Sequence, residues 1–404
     1  MLFEGAVIAR REFPCPTRGW FVLAITLSAC TFIRRPPVVG PGPAPAATTA
    51  EPTTESTAPP TPRPPARPAR GIVADAEKPE WMRGLVMPDL PLRWYPRVSA
   101  YLELYKNDQR YREIMRGWLR RLGAYRPAME AALAKEGLPK GLIFVAMIES
   151  GFSAGAVSSR AAGGFWQFIP DVARAYGLEV SFWVDERRDP ERSTAAAARY
   201  LKDLHHRFGS WELALAGYNA GVFAVLDSIV RYNTNDYWTL CRTEAGLPYE
   251  TTEYVPKVLA VAIVERNRAA FGFDESADRV PDWDIVEARP ALSFDALATR
   301  AGVTADELFQ WNPIYVRRRT PPDRPSVRLR VPAGQGERFG RAFASVRPGE
   351  GVPAVIGAGQ TVARVARARR VSVIRLRRLN SITDDAEVTP GTTLLVPRAG
   401  AKGQ

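Results

Sequence analysis

Residues 142–153 read "LIFVAMIESGFS": seven apolar residues in a row, then a carboxylate, Glu149, followed at once by Ser150 and Gly151. A helix over 142–148 is apolar on every side, which predicts an element enclosed by others rather than one lying on a surface. Upstream, in "YREIMRGWLRRLGAYRPAMEAALAKEGL", Ile114, Trp118, Leu119, Leu122, Met129, Leu133 and Leu138 mark apolar stripes at helical spacing. Gly137 ends that segment and Pro139 can start the next. Glu149 therefore sits at the end of the best-buried helix in a mainly α region. A carboxylate there can reach water, or pair with an arginine. It can also be desolvated, which disfavours the charged form, raises its pKa above ~4.3 and keeps a proton available for donation.

The text that follows is dense in small residues: "SGFSAGAVSSRAAGGFWQFIPDVARAYGL", residues 150–178. Small residues let loops approach a ligand closely. Ser158 and Gln167 add neutral hydrogen-bonding groups, and Phe165 and Trp166 add aromatic rings, a combination suited to a sugar-binding cleft. "WELALAGYNAG" brings Tyr218 and Asn219 after another buried helix, and "TEYVPKVLA" brings Tyr254 at the head of a third. Taken singly, a Tyr or Asn beside glycine is more often a core packer or a cap.

Their order is more specific. "GLPKGLIFVAMIESGF", "AVSSRAAGGFWQFIP", "ALAGYNAG" and "TEYVPKVLA" occur in that sequence, and the set resembles the family 1 lytic transglycosylases, most closely their membrane-bound D type, over about residues 95–272. The resemblance implies an all-helical, lysozyme-like (goose-type, SLT) catalytic domain that cuts the β-1,4 bond between N-acetylmuramic acid and N-acetylglucosamine in peptidoglycan without water, leaving 1,6-anhydro ends. It implies that Glu149 is the sole catalytic acid/base, that Ser158 and Gln167 line the substrate cleft with Tyr218, Asn219 and Tyr254, and that no cofactor is needed. Ala154 stands where the family commonly has proline, and Ala161 and Ala162 stand where it has Gly-Ala; neither departure removes a chemical group. In "ERRDPERSTAAAARYLKDL", Asp189 and Thr194 are expected to cap and orient. Asp171, Asp185, Glu186 and Asp189 lie in polar or loop-like text, so no second apolar carboxylate accompanies Glu149, as most glycosidases would require. A hydrolytic muramidase and a non-catalytic wall-binding lipoprotein are the alternatives.

The remaining sequence supplies context. At 404 residues the chain exceeds a single core, and its 35 prolines point to an extended stretch. That stretch is 31–78, a Pro/Ala/Thr-rich linker able to hold a domain up to ~100 Å from an anchor. Before it, "WFVLAITLSA" is too short to span a bilayer but suits a signal peptide over 1–30. "LSAC" resembles a lipobox that would lipidate Cys30, and by resemblance to sorted lipoproteins the threonine after it implies the outer membrane; a periplasmic, lipid-anchored protein is expected, and a monomer. The catalytic domain is placed at 79–278. Beyond it, 352–398 reads as strand, helix, helix, strand and resembles a LysM module, a binder of N-acetylglucosamine-containing glycans. Residues 282–335 look like a divergent copy sharing "LxxLAxxxGVxxxxLxxxN".

Net charge is +12. The basic run "RVARARRVSVIRLRR" lacks interleaved stacking aromatics, which argues against nucleic acid, whereas peptidoglycan stems offer carboxylates. The only histidines, His205 and His206, are adjacent and point about 100° apart on a helix, so neither a metal centre nor a Ser/His/Asp triad is expected. Cys15, Cys30 and Cys241 show no CxxC spacing, and Cys241 reads as a lone buried thiol.

Overall fold

A computed structural model describes residues 78–397 apart from 275, 277, 279–281, 348 and 350. The expected leader 1–30, its Cys30 and all of the 31–78 linker but its last residue lie outside these. Among the described residues ten α-helices come first: α1 (Pro96–Asn107), α2 (Gln109–Lys135), α3 (Ile143–Ser150), α4 (Pro170–Ala175), α5 (Pro190–Phe208), α6 (Trp211–Ala220), α7 (Val222–Tyr232), α8 (Tyr237–Arg242), α9 (Tyr249–Arg266) and α10 (Arg268–Phe271). Among the described residues no helix is long and apolar enough to cross a membrane.

The all-apolar text of α3 explains its place. Ile143 through Met147 are buried without exception, and α3 packs between α2 and α9. Ile143, Phe144, Val145 and Met147 each contribute about 1.5–3 kcal/mol on leaving water, which fixes an element too short to persist alone. Gly151, in the left-handed region at φ 57°, ends α3, its N–H donating to the carbonyl of Met147. Asp189 caps α5 as expected, its Oδ1 accepting from the backbone N–H of Glu191 and Arg192.

Two small modules follow. In the first, β1 (Trp283–Ala288) pairs antiparallel with β2 (Val327–Pro332), with Ile285 opposite Arg330, and α11 (Phe294–Ala301) and α12 (Ala305–Trp311) lie between them. A helix that the sequence reading did not anticipate, α13 (Gly336–Ala344), packs on β1 and buries Phe339 and Phe343 completely in the same core. In the second module, β3 (Gly351–Val355) pairs antiparallel with β4 (Thr393–Pro397) around α14 (Val362–Ala368) and α15 (Val373–Asn380). The strand-helix-helix-strand order is therefore present twice.

The repeat has a physical anchor. Asn312 and Asn380, which close the shared Leu-x-x-x-Asn, are both buried and make the same three bonds. Each amide donates to the carbonyl four residues back and to the last strand's backbone (Arg330 or Leu395), and each Oδ1 accepts that strand residue's N–H. A buried amide satisfied on three sides pins helix to strand in one register.

Candidate active site

Glu149 lies in the last turn of α3, and α2 grips the end of that turn. Arg121 Nε donates to the carbonyl of Gly151 at 2.6 Å, and a Cβ on residue 151 would fall 2.2 Å from the indole nitrogen of Trp118. Glycine is required there on two counts, contact and positive φ. Facing the carboxylate from α9, Tyr254 Oη donates to Glu149 Oε1 at 2.6 Å across 105 residues of sequence. Among the described residues no lysine or arginine pairs with Glu149, so the salt-bridge reading does not hold. Burial pushes the Glu149 carboxyl up to about 7; the Tyr254 hydrogen bond opposes that, and the nearby charge of Glu250 adds to it. At neutral pH the group is divided between its acid and base forms.

Tyr218, at the end of α6, donates to the carbonyl of Trp166 at 2.7 Å. Its hydroxyl is held well above the usual phenol range by burial and by the charge of Glu149, and so is that of Tyr254. Two neutral phenols thus flank one carboxyl. Asn219 is buried and its Oδ1 accepts from Thr251 Oγ1 at 2.8 Å, tying α6 to α9 just before Tyr254.

The segment 156–168 folds back on itself through bridges from Gly163 to Val157 and to Phe168. Ser158 Oγ accepts from the N–H groups of Arg160 and Ala162, closing its turn. Gln167, at φ 47°, is buried; its Nε2 donates to the carbonyls of Ala156 and Gly164, while among the described residues its Oε1 has no partner. An unpaired buried acceptor costs ~1–3 kcal/mol, which a ligand's N–H or O–H would recover.

Phe165 and Trp166 correct the sequence reading. Both are at most 1% exposed and offer no ring face to a sugar. Phe165 packs edge-on against Tyr125, and Trp166 Nε1 donates to Thr194 Oγ1 at 2.9 Å, the orienting role expected of Thr194. The turn at Gly164 sends both rings inward, where the backbone carbonyls of Phe165 and Trp166 accept from Ser150 and Tyr218.

Arg187 is a residue beside the site that sequence reasoning passed over. Its Nη1 donates to the carbonyls of Ala161 and Phe168 at 2.6 and 2.7 Å, while Nε and Nη2 fork onto Asp185 at 2.8 Å. Any Cβ on Gly164 would lie 1.9 Å from the carbonyl oxygen of Arg187. The signal was the Gly-Gly pair followed by a double arginine. Glu250, four residues before Tyr254 on α9, was also missed. Elsewhere, His205 stacks on Trp211, and burial pushes the half-buried Cys241 thiol up to about 11, leaving it unreactive.

The profile of the transglycosylase SLT domain matches residues 126–241, from the middle of α2 to the end of α8. The chain carries an SLT domain. Downstream of the SLT domain, a profile described as the lytic transglycosylase MltD LysM-like domain matches 283–347, and the LysM domain matches 354–397. The first of these takes in α13. The chain is homologous to the membrane-bound lytic murein transglycosylase D of Escherichia coli K12, and equally to that of strain O6:H1. Identity is 29% over 298 residues, covering 67% of this chain and 62% of each relative. The chain thus spans less than two thirds of those relatives' length. A solved lytic transglycosylase Slt from Pseudomonas aeruginosa aligns with 36% of this chain and 24% of its own, at 26% identity and a TM-score of 0.30. Mainly helical through its SLT domain, with short antiparallel sheets confined, among the described residues, to the modules, the chain has the fold class that its sequence implied.

Proposed function

We propose that this chain is a peptidoglycan lytic transglycosylase in which Glu149 serves as both acid and base. Glu149, carrying its proton below about pH 7, donates it to the glycosidic oxygen between N-acetylmuramic acid and N-acetylglucosamine. The anion left behind takes the proton of the muramic acid 6-hydroxyl, whose oxygen closes on C1 to form the 1,6-anhydro ring. Proximity replaces an activated water, since effective molarities for intramolecular attack reach ~10⁵ M or more. Tyr254 holds the carboxylate once the proton has left, and Tyr218 and Asn219 fix the walls around it. Gln167 Oε1 accepts from the substrate's N-acetyl N–H, with Ser158 beside it. The observation that carries the reading is a carboxyl met by a phenol and, among the described residues, by no cation, poised near neutral pH.

The domain limits belong to the same proposal: a catalytic domain over 79–278 and glycan-binding modules over 282–335 and 352–398. So do the lipid anchor at Cys30, the linker 31–78, the periplasmic site at the outer membrane and the monomeric state. Glu250 favours a second reading, hydrolysis, because a second carboxylate near the first can activate water. Mass analysis of fragments released from purified sacculi separates the two: anhydro ends that disappear in Glu149→Gln are expected. Reducing ends, or full activity in that variant, would overturn the assignment.

A further inference from the structure

The segment between α4 and α5 leaves the catalytic region and enters the modules. Trp183 and Val184, each 1% exposed, belong to the same apolar core as Phe294 and Leu329 of the first module and Leu395 of the second. Trp183 Nε1 donates to the carbonyl of Thr393 on β4 at 2.7 Å, and the Asp185 N–H donates to the carbonyl of Ile314 at 2.9 Å. Arg317 of the first module joins all three parts. Its guanidinium lies 4.3 Å from the Phe182 ring centroid, Nε donates to the Phe182 carbonyl, Nη1 donates to the Ser381 carbonyl, and Nη2 pairs with Glu387. Arg330 on β2 pairs with Asp189 at 2.9 Å, the same carboxylate that caps α5.

Two residues beyond Trp183, Asp185 holds the Arg187 guanidinium, whose Nη1 reaches the carbonyls of Ala161 and Phe168 in the segment that carries Ser158 and Gln167. The path from module core to cleft wall is therefore short and hydrogen-bonded throughout. Mobile hooks that merely raise the local concentration of glycan would not need an indole threaded between them or a buried arginine fork behind it.

We propose that the two modules brace the cleft: packed on Trp183 and tied to Asp189 through Arg330, they hold segment 179–189, and through Arg187 the wall that binds the sugar. Trp183 and Arg330 are positioning residues for the reaction. This rests on the transglycosylase reading for its catalytic part, while the structural part stands apart from it.

The test uses the full chain with Trp183→Ala and Arg330→Ala, beside the conservative Trp183→Phe and Arg330→Lys. The substrate is a soluble glycan tetrasaccharide, and two further measurements are pelleting with sacculi and amide hydrogen exchange. Small displacements of a binding wall cost catalysis steeply, so kcat/KM on the tetrasaccharide falls about tenfold in the alanine variants and recovers in large part in the conservative ones. Sacculus pelleting persists. The Ser158, Gly163 and Gly164 amides, which bond to Ala162, Phe168 and Ala156, exchange faster while α3 and α9 hold theirs, which also shows that the variants are folded. Tetrasaccharide cleavage within twofold of the unaltered chain, or unchanged exchange across 158–168, overturns the brace. Should the unaltered chain release no fragments at all, the transglycosylase reading falls, and the exchange rates alone decide the brace.

Discussion

Glu149 and Asp185 are both acidic residues turned into the protein, and the partners they meet differ in kind. Asp185 receives a full guanidinium through two bonds of 2.8 Å; Glu149 receives one phenol at 2.6 Å. An opposite charge settles the cost of desolvation by pairing, and it locks the geometry it pairs in. A phenol offsets only part of that cost, so the balance appears as a proton that is easily given and easily regained. One carboxylate is locked onto a guanidinium and the other keeps a labile proton, although both are acidic residues drawn out of bulk water.

The largest break in this comparison comes from unpairing the locked site. Arg187→Ala is expected to lower unfolding stability by about 3–5 kcal/mol, because Asp185 is left buried without its partner. The double variant Asp185→Leu/Arg187→Met should recover much of it in the same urea titration. A single-variant cost under about 1 kcal/mol would remove the distinction drawn here.

At the labile site the expected sign is the reverse. Since the folded chain holds the Glu149 proton more tightly than the unfolded chain does, unfolding releases a proton between the ordinary carboxyl range and about pH 7. Wild-type stability therefore declines as pH rises through that window, toward a total on the order of 3 kcal/mol. Glu149→Gln, with nothing to ionise, escapes the decline. It should match wild type near pH 4.5 and exceed it at pH 8 in thermal melts; a constant gap between the two would contradict the assignment.

The smallest effect sharpens the comparison. Glu250 raises the Glu149 carboxyl by charge alone, so Glu250→Gln should move the alkaline limb of the pH–activity profile downward by about a few tenths of a unit, and added salt should shrink the difference.

How much of this was legible in sequence follows from how local each feature is. Glu149 announced itself through an unbroken apolar run, and Tyr218, Asn219 and Tyr254 through motif order; the structure draws the two tyrosines and the glutamate together and uses Asn219 to pin the helices behind them. Phe165 and Trp166 misled because aromatic rings beside Gln167 suit a sugar platform equally well on paper. Only the backbone turn at Gly164 and Gln167 decides that those rings face inward. Arg187 and Asp185 stood in polar text that reads as solvated loop, since charge pairing in three dimensions has no periodicity. The Trp183 to Thr393 bond spans 210 residues, and no local pattern could have disclosed it.

The eight-residue α3 has a last consequence. A helix this short is below the length that persists alone in water, and every one of its supports, from Trp118 to Tyr254, comes from elsewhere in the chain. A nascent or partly unfolded copy consequently has no raised carboxyl and no reactive proton. Completion of the fold is therefore what creates the raised carboxyl, a property of the tertiary structure and not of the segment that bears it.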